Sequence, residues 1–567
     1  LLALGINEDL YGCGVALCEN GQLRYAANEE RFSRRKNHGG FPHRSLSGAF
    51  GFTGLDPLDV SRVCVSGVTT PHLVARLFPQ LQQGLWEAQS ARTQSPLRHV
   101  ADAMVHTRWL SIQRPRGLIN QATALLAPNL IRRALPPELR HAEIKLVDHH
   151  ATHLWCALAL SGFDSALGLT ADGMGDGVSL AVFQCADGRV ERLADCPPNA
   201  SLGLFFEALT EAFGFVPSRD EGKLTGLAAH GNPDAVGQLS PFQVSEGRLR
   251  YRGPHGLRAV RWAERELLAR HSREDVAAWA QRILEECVTT IARYWLEKTG
   301  QRRLVLGGGL FANVKLNQRL HELPEVEEIF VAPNMGDGGN PVGALAGAGV
   351  LQAERIQHVF LGDGFSDQQC TAALSKAGLD FERPQDYPAA LADCLAAGQS
   401  VARFDGRMEW GPRALGNRSI LANAADAAVS ARLNQQLRRS DFMPFAPAML
   451  EEEAGRFLRN HHSGLFAGEF MTVCFDCSPE MKQTCPAVVH VDGTARAQIV
   501  RASANPGLHA VLSAYRARTG AGVLLNTSFN IHEEPIIRTP EEAITSFLTA
   551  GIDWLALGPY LVKQPAR

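Results

Sequence analysis

RRLVLGGGLFANVKLNQRL, residues 302–320, is the stretch whose reading decides the fold. It reads as an apolar strand, a glycine turn and then a helix, the order that turns backbone N–H groups toward a phosphate or nucleotide. A glycine turn alone is common, so its neighbours decide. Upstream, Glu274–Thr299 reads as a long helix. Before that, "EIKLVD" predicts a strand, "HATHLWCALAL" a helix and "ALGLTADGMGDGVSLAVFQ" a hairpin. The chain opens on a similar theme, since "LLALGINEDLYGCGVALCENGQLRYAANEERFSR" predicts three strands in a β-meander. The repetition predicts two related lobes. Residues 71–140 differ, with helical spacing, charges that are mostly Arg, and punctuation by Pro79, Pro96, Pro115 and Pro136; they read as a helical insertion. After "VAPNMGDGGNPVGALAGAGVLQ" a linker near 352–362 leads to a second α/β domain, giving domains of 1–355 and 356–567.

At 567 residues the chain exceeds what one hydrophobic core serves, while 45% hydrophobic and 20% charged residues are ordinary globular usage. Its apolar runs are too short to cross a bilayer. With 56 basic and 59 acidic residues, the net charge of -3 supplies no general field for nucleic acid or an anionic membrane, so neither is an expected partner and any anion must be bound locally. The 12 cysteines are scattered, and "LLALG" carries no basic region of a secretory signal; a reducing cytoplasm is the expectation. Cys474, Cys477, Cys485 and His490 match zinc by ligand type. However, "FMTVCFDC" alternates like a strand and a second CxxC is missing, so buried thiols are expected instead.

Two constellations carry chemistry. His149 and His153 lie four apart on a helix and so share one face, and Asp172 in "TADGMGDG" and Asp337 in "NMGDGGN" sit in glycine-rich turns after strand-like runs. Two imidazoles with two carboxylates suit iron(II) or zinc better than magnesium. In the second domain, "FDGRMEWGPRALGNRSI" gathers Arg407, Arg413 and Arg418 with Glu409 and Asn417. "HVDGTARAQ" adds Arg496, and "LLNTSFNIHEEPI" places Asn526, Thr527, Ser528 and Asn530 after an apolar strand. Guanidinium groups bind phosphate bidentately, and amide and hydroxyl groups can read a small carbamoyl or carbamate.

These motifs, with "EERFSRRK" (Glu29–Lys36), "VDHHATH", "EGKLTGLAAHG", "LGGGLFANVKLN", "MPFAPAML" and "HVDGTAR", span almost the whole chain in an order that resembles the O-carbamoyltransferases of antibiotic and nodulation-factor biosynthesis. The resemblance implies an α/β fold with a duplicated actin-like/sugar-kinase-like (ASKHA) amino-terminal domain and a YrdC-like carboxy-terminal domain. It implies that carbamoyl phosphate and ATP, with Mg²⁺, become carbamoyl-adenylate in the second domain, and that the first passes the carbamoyl group to a hydroxyl of a small natural product. On the same resemblance, His149, His153, Asp172 and Asp337 hold Fe²⁺ or another divalent metal. Lys223, Gly226, Gly308, Gly309, Asn313 and Asn317 line the nucleotide cleft, and Arg413, Arg418, Arg496, Asn526 and Ser528 form the adenylate site.

The sequence also departs from the pattern. Tyr11-Gly12 stands where relatives carry His-Asp, leaving His38, Asp9, Tyr11 or the metal itself to activate the acceptor hydroxyl. Met443 stands where relatives have Arg, a contact that Arg438 or Arg439 could take over. The 71–140 insertion is read either as a cover over the acceptor or as a packing extension or the surface of a homodimer. The missing His-Asp leaves one alternative function, a nucleotide-binding scaffold of the same fold without transfer activity. A tRNA-modifying or hydrogenase-maturation enzyme fits less well, lacking in the one case this domain fusion and bringing in the other zinc-finger and acylphosphatase segments that are absent here.

Overall fold

A computed structural model describes residues 1–78, 118–238, 240–437, 445–531 and 533–565, divided between two compact units. The first comprises Leu1–Glu29 and Asn37–Arg355, the second Glu30–Lys36 and Ile356–Arg567. In the first unit β1 (Leu2–Asn7), β2 (Gly14–Glu19) and β3 (Gln22–Asn28) form the expected meander. β4 (Val60–Ser66) and β5 (Glu143–Val147) then add in parallel, giving the order β3-β2-β1-β4-β5. A second sheet repeats this order and these directions. It contains β6 (Ala166–Gly175), β7 (Val178–Ala186) and β8 (Arg189–Cys196), and, beyond a separate hairpin of β9 (Phe242–Ser245) and β10 (Arg248–Tyr251), β11 (Arg303–Gly307) and β12 (Glu328–Val331), in the order β8-β7-β6-β11-β12. The repeat is the duplicated actin-like arrangement, and the two lobes expected from the sequence are these two sheets.

Parallel strands are covered on both faces, which is why β1 is apolar nearly throughout and wholly buried. The covering comes from two helices that touch each other: His149–Ser161 packs on β6 and β11, and Asn340–Gly347 on β1 and β4. Small residues set their spacing, since a Cβ at Gly343 would overlap the carbonyl of Thr152. Each fully buried leucine on such a helix, Leu154 for example, contributes about 1.5–3 kcal/mol. Within the span read as a helical insertion, Leu73–Leu77 and Leu118–Ala134 are helices; Pro79, Pro96 and Pro115 lie outside the described residues.

The second unit is built on a mixed seven-stranded sheet. Its strands are β13 (Val401–Phe404), β14 (Arg418–Asn423), β15 (Ala446–Leu450), β18 (Gln498–Val500), β19 (Val523–Ser528), β20 (Trp554–Leu557) and β21 (Tyr560–Lys563), in the order β18-β15-β19-β14-β13-β20-β21. Helices Tyr387–Ala396 and Pro506–Thr519 pack through Leu391, Leu395, Leu508, Val511 and Leu512 into its core. The strand expected over "FMTVCFDC" shrinks to Phe475–Asp476 (β16), which pairs with Thr494–Ala495 (β17). The segment is buried at every position but Asp476: Cys474, Cys477 and Cys485 are buried thiols, and burial pushes those of Cys477 and Cys485 up to about 12. Among the described residues no helix is long and apolar enough to cross a membrane.

Candidate active site

The first unit gathers four ligand-type side chains from the carboxyl ends of parallel strands in both of its sheets, where open α/β sheets place ligands. β5 ends at Val147. The next residue, Asp148, caps the following helix by accepting from the N–H of Ala151 at 2.9 Å, and that helix begins with His149. His153 stands one turn on, with its Nε2 3.1 Å from that of His149. Asp172 comes from the end of β6, where the register shifts between Ala171 and Gly175. Such a bulge re-aims a side chain, and the Asp172 carboxylate lies 3.0 Å from His153 Nε2 and 3.6 Å from His149 Nε2. Asp337, in the turn beyond β12, lies 3.4 Å from His149 and 3.3 Å from His153, held by a hydrogen bond from Asn340 at 3.1 Å. All four ligand atoms fall within 4.8 Å of one another. A Cβ at Gly175 would overlap the His149 ring, so the second glycine of "GMG" makes room for it.

This donor set fits a divalent cation. Both histidines are 1% exposed. Burial alone would lower the His149 pKa, yet the carboxylates of Asp337, Asp172 and Asp9 raise it to about 10. Burial opposes ionisation of Asp172, but its bonds to His149 and His153 hold it well below the usual carboxylate range. The cluster thus concentrates negative charge around two imidazoles, as a cation site requires. His150, between them in sequence, faces elsewhere and is structural, 2.8 Å from Thr170 Oγ1 and 3.0 Å from the Val178 carbonyl. Asp176, which the sequence reading passed over, accepts from the N–H groups of Val68, Thr69, Thr70 and His149 at 2.7–2.9 Å. It ties the loop after β4 to the start of the histidine helix; its signal was the second aspartate of "ADGMGDG".

Asp9, two residues beyond β1, lies 3.8 Å from His149 Nδ1, and burial and Asp337 raise its pKa to about 7. Tyr11 is half-buried, and burial and Glu207 keep its phenol protonated far above neutral pH, which suits it to donate a hydrogen bond rather than to accept a proton. His38 is half-buried, its carbonyl accepting from the N–H of Cys13 at 3.0 Å. Beside Tyr11, Ser218 donates to Glu207 at 2.7 Å from its hydroxyl and to Glu221 at 2.6 Å from its N–H. Burial raises Glu207 from 4.5 to about 7, and burial and Glu207 raise Glu221 to about 8. A carboxyl whose pKa is raised on folding stabilises the fold below its unfolded value of 4.5, and that contribution is lost as pH rises toward 7. Glu207→Gln is therefore expected to melt near the wild-type temperature at pH 5 and a few degrees above it at pH 8; scanning calorimetry at both pH values checks this.

The residues expected to line a nucleotide cleft are also neighbours. Lys223 and Gly226 share the helix Glu221–Ala228; Lys223 lies 3.0 Å from Asp220 and above the Phe215 ring. Thr225 accepts from Asn313 Nδ2 at 3.2 Å, placing that helix beside the turn after β11. There Gly308 has φ +103°, a conformation that suits glycine, and a Cβ on it would overlap the Ala171 carbonyl. Asn313 caps the helix Val314–His321, and Asn317 donates to the Phe311 carbonyl at 2.7 Å. Both asparagines brace the turn.

In the second unit Asn526 and Ser528 lie on β19 beside β14, which Arg418 begins. Asn526 donates to the Ala414 carbonyl at 3.2 Å, next to the half-buried Arg413, and its buried Oδ1 has no hydrogen-bond partner among the described residues. Arg418 is wholly buried, donating to the carbonyls of Asp405, Asn417 and Gly406 at 2.7, 3.0 and 3.2 Å. Arg496, between β17 and β18, has a buried Nε without such a partner, and burial lowers its pKa. Arg438, Arg439 and Met443 lie outside the described residues.

Fold and side chains together describe a two-unit α/β protein with four ligand-type side chains gathered in a duplicated actin-like unit and arginine and amide side chains on the sheet of a separate one. The family models for the amino terminus and the carboxyl terminus of carbamoyltransferases match residues 3–346 and 392–564. The chain belongs to the carbamoyltransferase family. It is 32% identical to nodulation protein NolNO of Sinorhizobium fredii over 98% of this chain and 80% of that one. It is 35% identical to nodulation protein NolO of Bradyrhizobium diazoefficiens over 74% and 79%. It is also 34% identical to the 3'-hydroxymethylcephem-O-carbamoyltransferase of Streptomyces clavuligerus over 42% and 45%.

Proposed function

We propose that this carbamoyltransferase makes carbamoyl-adenylate from carbamoyl phosphate and ATP in the second, YrdC-like unit and transfers the carbamoyl group to a hydroxyl of a small natural product in the first. The observation that supports this most is the convergence of His149, His153, Asp172 and Asp337 within 4.8 Å beside a glycine turn of nucleotide-binding type. Those four residues would hold a divalent cation, iron(II) or zinc by donor type. When bound, such a cation supplies positive charge that favours departure of AMP.

The protein's own groups do the rest. In the second unit, water cleaves carbamoyl phosphate to carbamate and phosphate, and a carbamate oxygen then attacks the α-phosphorus of ATP as the bond to pyrophosphate breaks. Arginines with the Asn526 amide and the Ser528 hydroxyl bind and orient phosphate and carbamate there, because anhydride formation depends on positioning and charge neutralisation. In the first, the acceptor oxygen attacks the carbamoyl carbon as the bond to the AMP oxygen breaks. Tyr11, held protonated, donates a hydrogen bond to the acceptor, while His38 or Asp9 takes the hydroxyl proton. Incubation with carbamoyl phosphate, ATP, Mg²⁺ and a panel of hydroxyl-bearing natural products should release pyrophosphate and add one carbamoyl increment by mass spectrometry. A purified protein that releases no carbamoyl-phosphate-dependent pyrophosphate would instead be the nucleotide-binding scaffold.

A further inference from the structure

The motif "EERFSRRK" has no role in the chemistry above, yet its residues Glu30–Lys36 belong to the second unit. Arg34, Phe32 and Arg31, in three sets of contacts, hold this strap. Arg34 donates to the carbonyls of Pro535 and Ile536, each at 2.8 Å, and faces Glu542 at 3.3 Å. Arg538 lies 4.4 Å above the Phe32 ring. Arg31 donates from Nη2 to the carbonyl of Gly411 at 2.7 Å.

The third contact differs in kind from the others. Arg34 keeps 28% of its side chain in solvent, whereas Arg31 is 3% exposed and its Nη1 is buried without a hydrogen-bond partner among the described residues. Gly411 opens the turn "GPRALGNR", which carries Arg413 and Arg418. Glu409 grips the far end of the same turn, its Oε1 accepting from the N–H groups of Leu415, Asn417 and Arg418 at 2.9, 2.8 and 3.0 Å. Its Oε2 is buried and likewise lacks a hydrogen-bond partner among the described residues, and its charge, after that of Glu30 at 3.8 Å from the Arg31 Nε, acts on Arg31. A buried cation and a buried anion of this kind are tolerated when each supports the other, and both are bonded to the backbone of one loop. Surface packing alone would not need a desolvated guanidinium at that place.

We propose that Arg31 is a positioning residue for the loop Glu409–Arg418, so that the adenylate-forming site is completed by a segment from the amino-terminal part of the chain. The proposal rests on the adenylate reading above. The experiment compares the full-length wild type with Arg31→Met and Arg31→Lys, measuring carbamoyl-phosphate-dependent pyrophosphate release, melting temperature and amide hydrogen exchange at Leu415, Asn417 and Arg418. Arg31→Met should lower kcat about tenfold to a hundredfold with a smaller change in the KM for ATP, and should speed exchange at the three amides. Arg31→Lys, which keeps the charge and one donor, should recover part of kcat.

Wild-type kcat and wild-type exchange in Arg31→Met would overturn the proposal. So would losses in both variants that simply track melting temperature. If Arg31→Met does not fold, Arg31→Lys decides: reduced kcat with faster exchange supports the positioning role, and wild-type behaviour rejects it. A wild type that releases no pyrophosphate sinks the adenylate reading instead, and the exchange rates then judge Arg31 alone.

Discussion

Replacing His149 and His153 together by alanine is expected to abolish divalent-metal binding and to lower carbamoyl transfer roughly a hundredfold or more, while carbamoyl-phosphate-dependent pyrophosphate release continues. The imidazoles stand 3.1 Å apart at their Nε2 atoms and meet both Asp172 and Asp337 within 3.6 Å, so removing both leaves two carboxylates and no nitrogen donor. Alanine suits the helix His149–Ser161, whose cap at Asp148 is untouched, so secondary structure should survive. What changes is charge. Asp172 is held low by the two histidines and should take up protons more readily without them. Metal content by elemental analysis, pyrophosphate release and mass-spectrometric transfer, all measured on one folded preparation, separate the two steps. Loss of both steps together would refute the assignment of one to each unit.

How far the sequence could be read follows from the range of the interactions involved. Periodicity and glycine turns are local, so the meander, the strand–turn–helix at Arg303–His321 and the long helix Arg273–Thr299 were legible. Helical spacing likewise put His149 and His153 on one face, although it could not say that His150 bonds Thr170 and Val178 instead. The alternating "FMTVCFDC" misled because the segment is buried on all sides, every residue but Asp476, in a mostly irregular stretch, so alternation of residue type there reports no strand face. Arg31 was invisible for a different reason: its acceptor, Gly411, is 380 residues away, and no local pattern encodes such a pairing. The same holds for Glu409. Its side chain holds three N–H groups six to nine residues ahead, in a loop whose composition reads equally well as solvated.

The arginines of the second unit also looked alike in sequence, and their surroundings predict opposite behaviour on substitution. Arg418 is wholly buried, its guanidinium stacked 3.6 Å over Phe404 and its terminal nitrogens donating to the carbonyls of Asp405, Asn417 and Gly406. Burial lowers its pKa to about 10, and its N–H groups go chiefly to backbone carbonyls, which leaves little for a phosphate. Arg418→Met strips those carbonyls of donors and is expected to cost on the order of 3 kcal/mol or more of stability. Arg496 has the reverse balance. Its Nε, like that of Arg418, is buried with no hydrogen-bond partner, but among the described residues its guanidinium makes no hydrogen bond to a carbonyl and no ion pair, and a partly desolvated cation without an anion weakens the fold that holds it. Arg496→Met should therefore melt at or above the wild-type temperature while pyrophosphate release falls about a hundredfold. Thermal melts beside pyrophosphate assays test the contrast; an Arg496→Met protein that keeps its activity, or one that unfolds as Arg418→Met does, would mean that this side chain serves the fold rather than an incoming anion.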